Sequence, residues 1–160
     1  MTRPALLLTL LLAAAAPAAV QAQASEVHVV IGPELQEQAR ELGQNDLDRL
    51  TADLEAAVEK AVARSGKGVD GVRLELTLVD AKPSRPTFEQ MARRPGLDMR
   101  SVSNGGATIE GFEIRPDGER RSVEFSWYES DIRWAESRTT WTDAHRAFDL
   151  FASRYAKGRE

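Results

Sequence analysis

The sequence predicts a single α+β domain, an antiparallel sheet of about four strands with helices packed on one face, in the order β-α-α-β-β-β-α. Three observations predict it. Apolar residues recur every three or four positions from Leu47 to Val62, the period of an amphipathic helix. The period then drops to two in "GVRLELTLVD" (71–80) and again in "RSVEFSWYES" (121–130), as in strands with one wet face. Helical spacing returns in "TTWTDAHRAFDLFASRYAKG" (139–158).

Before the domain comes a leader. "MTRPALLLTLLLAAAAPAAVQAQA" (1–24) has one early Arg3, an apolar run from Ala5 to Val20, and Ala22-Gln23-Ala24, the A-x-A pattern accepted by signal peptidase. Pro17 interrupts the run, which is shorter than the ~20 apolar residues of a membrane-spanning helix. The expectation is a signal peptide cleaved near Ala24, no transmembrane segment, and a periplasmic or secreted domain over 25–160. The chain has no cysteine, so disulfides cannot support it in an oxidising compartment. Removal of 24 from 160 residues leaves 136, enough to bury a core unaided.

Each element then has its own signature. "EVHVVI" (26–31) is a β-branched run closed by Gly32-Pro33, a strand followed by a turn. Pro33 suits the first position of a helix whose Leu35, Gln38, Ala39 and Leu42 share a face before Gly43. Asn45 is a good N-cap for the long helix that follows, and "SGKGVDG" (65–71) ends it. In the next strand Val72, Leu74, Leu76 and Leu78 point one way. "ATIEGFEI" (107–114) and Val123, Phe125 and Trp127 of the following strand form a hairpin around the Pro, Asp and Gly of "RPDGER" (115–120). Thr140 with Asp143 makes a capping-box relative for the last helix, and Trp141, Ala144, Phe148, Phe151, Ala152 and Tyr155 form its core stripe.

The glycines of "SVSNGGATIEG" (101–111) raise the possibility of a phosphate cradle. Such a cradle requires a helix directly behind it, whose N-terminus supplies aligned N–H groups. A strand follows here, so Asn104, Gly105 and Gly106 are read as a turn aiming the chain into the hairpin.

Charge narrows the function classes. The formal net charge of −4 argues against wholesale binding to nucleic acid. Residues 25–70 carry ten acidic and five basic side chains, whereas 71–160 carry fifteen of each. Within the neutral half, the stretch 81–105 is basic, with Lys82, Arg85, Arg93, Arg94 and Arg100 against Glu89 and Asp98. It is also longer than the ~12–15 residues a compact domain usually leaves between elements. Thr87 and Gln90 offer a capping box for a short helix ended by Pro95. Trp127 and Trp141 have core explanations, and Trp134 has none. The expected working surface is therefore Trp134 flanked by Arg133, Glu136 and Arg138, with Arg93, Arg94 and Arg100 from the insertion. An indole beside guanidinium groups suits an envelope-protein partner or a small anionic ligand.

The competing class is a small periplasmic hydrolase. His145 and Asp149 stand four residues apart on one helical face and could orient a general base. The carboxylates Glu129, Asp131, Glu136 and Asp143 also invite an acid–base pair of the glycosidase kind. Neither set identifies a nucleophile, no metal site emerges because zinc needs three or four ligands, and no cofactor motif is present. A non-enzymatic binding module is the expectation.

Gly105-Gly106-Ala107, Glu110, Gly118, Trp141, Asp143-Ala144 and Phe148, within "GGATIEGFEIRPDGERRSVEFSWY" and "TTWTDAHRAFDLFASRYA", carry a resemblance. The stretch 105–156 resembles the C-terminal half of a family of uncharacterised proteobacterial envelope proteins, many of them lipoproteins, of unknown function. The resemblance implies an envelope location and an α+β fold, and no activity. This chain departs from the lipoprotein members in lacking the anchor cysteine.

Overall fold

The computed structural model describes residues 26–65, 71–133 and 138–158. The leader (1–24), most of the glycine segment (66–70), Trp134 and Glu136 lie outside the described residues. The order is β1 (Glu26–Ile31), α1 (Pro33–Glu37), α2 (Ala39–Leu42), α3 (Gln44–Ser65), β2 (Arg73–Lys82), α4 (Phe88–Arg93), β3 (Gly106–Ile114), β4 (Arg120–Tyr128) and α5 (Thr142–Ala156).

The strands lie in sequence order, β1-β2-β3-β4, as one sheet with α3 and α5 on one side. The α+β class and the four strands are as expected, but the sheet is mixed. β1 pairs with β2 in parallel, Val27 opposite Leu74 and Val29 opposite Leu76, while β2–β3 and β3–β4 are antiparallel. A parallel pair needs a crossover of a dozen or more residues, and α1 to α3 supply it by returning the chain to the start of the sheet. Alternation reports which face a residue takes and is blind to strand direction.

Helix boundaries differ in detail. The expected single helix from Pro33 is two short ones, α1 and α2, divided at Gln38. Gly43, not Asn45, opens α3: its carbonyl accepts from Leu47, and its φ of 100° is a conformation that favours glycine. α4 is the helix expected in the insertion, and its capping box is formed, Thr87 Oγ1 accepting from the Gln90 N–H while Gln90 Oε1 accepts from the Thr87 N–H. α5 starts at Thr142 with Trp141 as its N-cap and no side-chain cap, so Thr140 does not cap it. β2 runs on to Lys82, past a bulge between Leu78 and Asp80 that resets its register against β3.

The core is sealed between sheet and helices. Val27, Val29, Leu74, Leu76, Leu78, Ala107, Ile109 and Phe125 face Leu47, Leu50, Leu54 and Val58 of α3 and Ala144, Ala147, Phe148 and Phe151 of α5. Each large apolar side chain so buried contributes about 1.5–3 kcal/mol. The other sheet face is wet, with Glu26, His28, Arg73, Glu75, Glu110, Phe112, Arg120 and Glu124 along a trough of 740 Å³. Its cations are already used, since Arg73 and Arg120 both pair with Glu75.

Candidate functional site

The insertion between β2 and β3 is fastened to the body by a buried polar junction. Asp143, at the start of α5, accepts hydrogen bonds at Oδ2 from Ser84 Oγ (2.8 Å), the Gly105 N–H (3.0 Å) and Arg138 Nη1 (3.2 Å). Arg138 Nη2 pairs with Glu129 (3.1 Å) and donates to the Asp131 carbonyl (3.2 Å). The Arg138 and Asp143 side chains are only 5% and 2% exposed. Both ends of the insertion thus converge on one carboxylate, and Arg85 ties it again by donating to the Arg138 and Met99 carbonyls.

Gly105 has no room for a side chain there, since a Cβ would stand 2.7 Å from the Lys82 carbonyl oxygen and 2.8 Å from Ser84 Oγ. The phosphate question closes at the same place. A strand follows the glycines, and the Gly105 N–H is spent on Asp143.

This junction corrects the expected site. Arg138 is a buried structural cation and presents nothing to a ligand. Asp143 and Glu129 neutralise it, which removes them from a glycosidase pair. Arg133 remains exposed but forks onto Asp131 with contacts of 2.6–3.0 Å, and this guanidinium holds the Asp131 carboxyl below the usual range. Arg94 pairs with Glu41, while Arg93 and Arg100 stand exposed on the insertion. Trp134 and Glu136 lie outside the described residues.

His145 also has a different partner from the expected one. Its Nε2 lies 3.0 Å from Asp53 Oδ2 on α3, and no hydrogen bond joins it to Asp149 among the described residues. The Asp53 contact crosses between helices, which spacing along one helix cannot reveal. Among the described residues no hydroxyl hydrogen-bonds His145, and no three His, Cys, Asp or Glu side chains are grouped to hold a metal ion. No helix among the described residues is long and apolar enough to cross a membrane.

What the insertion and the two helices do form is a cleft of 280 Å³. One wall is α3, with Asp46, Arg49, Leu50 and Asp53; the other is the insertion, with Pro86, Phe88, Met91 and Met99; Thr139 to Trp141 and His145 close one side. The Trp141 indole N–H donates to Asp46 Oδ2 (3.1 Å), which aligns the ring with this wall. Phe88 is 77% exposed and Met99 52%, on a helix and loop too short to bury them. Sequence reasoning missed Phe88, Met91, Met99, Asp46 and Asp53. A signal was present, because Phe88 directly follows the capping Thr87 on a helix that Pro95 keeps too short to bury a full apolar stripe.

No family model, no curated protein and no solved structure matches the chain.

Proposed function

We propose that this chain is a periplasmic or secreted envelope protein that binds a partner and catalyses no reaction. The leader motif Ala22-Gln23-Ala24 supports export, and release of a mature form beginning near Ser25 by osmotic shock is its test; intact precursor in the membrane pellet refutes it.

The observation that carries the binding reading is the exposed pair Phe88 and Met99 on an insertion whose two ends are clamped at Asp143. A rigid base presenting apolar side chains is the build of a recognition surface, because little conformational freedom is lost on binding. The arginines play a secondary part. Arg93, Arg94 and Arg100 do not line the cleft, so they make no pocket there for a small anion. Arg133 belongs to the connection that follows β4.

A photo-crosslinking analogue at Phe88 of the full chain, in its native envelope, tests this reading. A discrete adduct that disappears with Met99→Glu supports it. Absence of any adduct from Phe88, Met99, Arg93 and Arg100 in turn refutes it.

A hydrolase remains the second reading, favoured by the His145–Asp53 pair beside the cleft. His145→Ala and Asp53→Ala that abolish function while leaving the Phe88 adduct intact would establish it over the binding module.

A further inference from the structure

We infer that the cleft between α3 and the insertion docks a single large apolar side chain of a partner protein, presented by a segment with basic residues beside it. The inference rests on the binding reading above and names the class of partner.

Size points to a side chain. Pockets for drug-sized ligands run to roughly 300–1,000 Å³, and this open cleft of 280 Å³ stands at the small end of that range, with room for one large side chain. Its polar groups point the same way. A polar metabolite needs several donors and acceptors free to receive it, but most of the hydroxyl and N–H groups at the cleft bond within the protein. Trp141 Nε1 donates to Asp46, Thr87 Oγ1 donates to the Glu41 carbonyl and accepts from Gln90, and Thr139 and Thr142 share their hydroxyls. Besides the Arg49 guanidinium and the α3 carboxylates, what is left for a partner is apolar, namely Phe88, Met91 and Met99 on the insertion. Methionine side chains are unbranched and polarisable and mould themselves around an inserted group.

The charge of the α3 wall selects the flanks. Asp46 and Asp53 line it against Arg49, with His145 Nε2 3.0 Å from Asp53, and Asp48 follows on the same helix, where its carboxylate accepts from Gln44. The hydrogen bonds to Asp46 and Asp48 come from neutral indole and amide groups, which leave the carboxylate charge in place. A basic side chain beside the apolar anchor finds that charge, and an acidic one is repelled by it.

The test uses three short synthetic peptides with one central phenylalanine, flanked by lysines, by serines or by glutamates. The protein is the mature chain carrying Trp127→Phe and Trp134→Phe, so that Trp141 reports binding by its fluorescence. The lysine-flanked peptide is expected to bind at least about tenfold tighter than the glutamate-flanked one, a gap that narrows at high salt and with Asp53→Asn.

Phe88→Ser with Met99→Ser is expected to weaken binding at least about tenfold while moving the melting temperature little, because Phe88 is mostly and Met99 half exposed. Equal affinity for all three peptides overturns the basic class and leaves the binding module standing. Lysine-peptide binding that survives Phe88→Ser with Met99→Ser overturns the cleft as its site. If no peptide binds, the inference falls, and the module falls with it only if Phe88 also yields no crosslinked adduct.

Discussion

Replacing Arg138 by methionine removes the guanidinium that spans Glu129 and Asp143 and leaves an unbranched apolar chain in its place. The cavity created is small, so the loss is electrostatic. Asp143 is 2% exposed and Glu129 13%, and without Arg138 both carboxylates stay in a place that water barely reaches. Asp143 keeps its bonds from Ser84 and Gly105, but neither carries a charge. Removing one partner of a buried ion pair costs about 3–5 kcal/mol, a large part of the roughly 5–15 kcal/mol that holds a domain together.

Urea unfolding followed by far-ultraviolet circular dichroism measures it. With a slope of about 1–3 kcal/mol per molar urea, the midpoint is expected to fall by roughly 1–5 M. Arg133→Met is the matched control, since its pair with Asp131 has an 84% exposed guanidinium; there the change should stay below about 1 kcal/mol. Asp143→Asn keeps an acceptor for Gly105 and Ser84 and removes the charge, so it should restore part of the loss in the Arg138→Met background. If Arg138→Met costs no more than Arg133→Met, the junction does not hold the fold and the reasoning is refuted.

Trp141→Ala and Phe148→Ala should each cost about 3–5 kcal/mol by emptying core volume where the start and middle of α5 pack, and near-wild-type melting of both would show that the helix does not pack there. The chain's two tyrosines should titrate late in spectrophotometry. Burial, helped by Asp80, pushes Tyr128 up to about 12, and burial, helped by Glu113, also raises Tyr155. Because the folded values lie above the unfolded 10, this contribution to stability is complete below pH 10 and is lost as pH rises through about 12; both phenols ionising near 10 would contradict it.

Glu110 and Glu124 stand directly opposite each other on the wet sheet face, so Glu124→Lys should stabilise by about 0.2–1 kcal/mol in denaturant melts, and a loss would mean the two do not repel. Gly105→Ala should destabilise by about 1–3 kcal/mol through overpacking at the junction, and an unchanged midpoint would mean that the surroundings give way.

Much of the architecture was legible in local pattern. The stripe Leu47, Leu50, Leu54, Val58 and Val62, the alternation of Leu74, Leu76 and Leu78, and the turn at Gly118 each follow from spacing and backbone preference, which are properties of neighbouring residues. The capping box of α4 was legible for the same reason, its partners being three residues apart.

The site was far less legible, because its decisive contacts join residues distant in sequence. Arg138 reads as a surface cation until Glu129, Ser84 and Gly105 are brought around Asp143. His145 pairs with Asp53, 92 residues away, and not with Asp149 four residues on. The parallel pairing of β1 with β2 is of the same kind, since direction is decided by where α3 returns the chain. The sequence by itself determined the leader motif, the elements and the faces they bury, since those follow from short-range sterics and hydrophobic period. Only the tertiary structure decided which charges are sequestered in the junction and which apolar side chains are left in water at the cleft, because burial depends on what the rest of the chain packs against them.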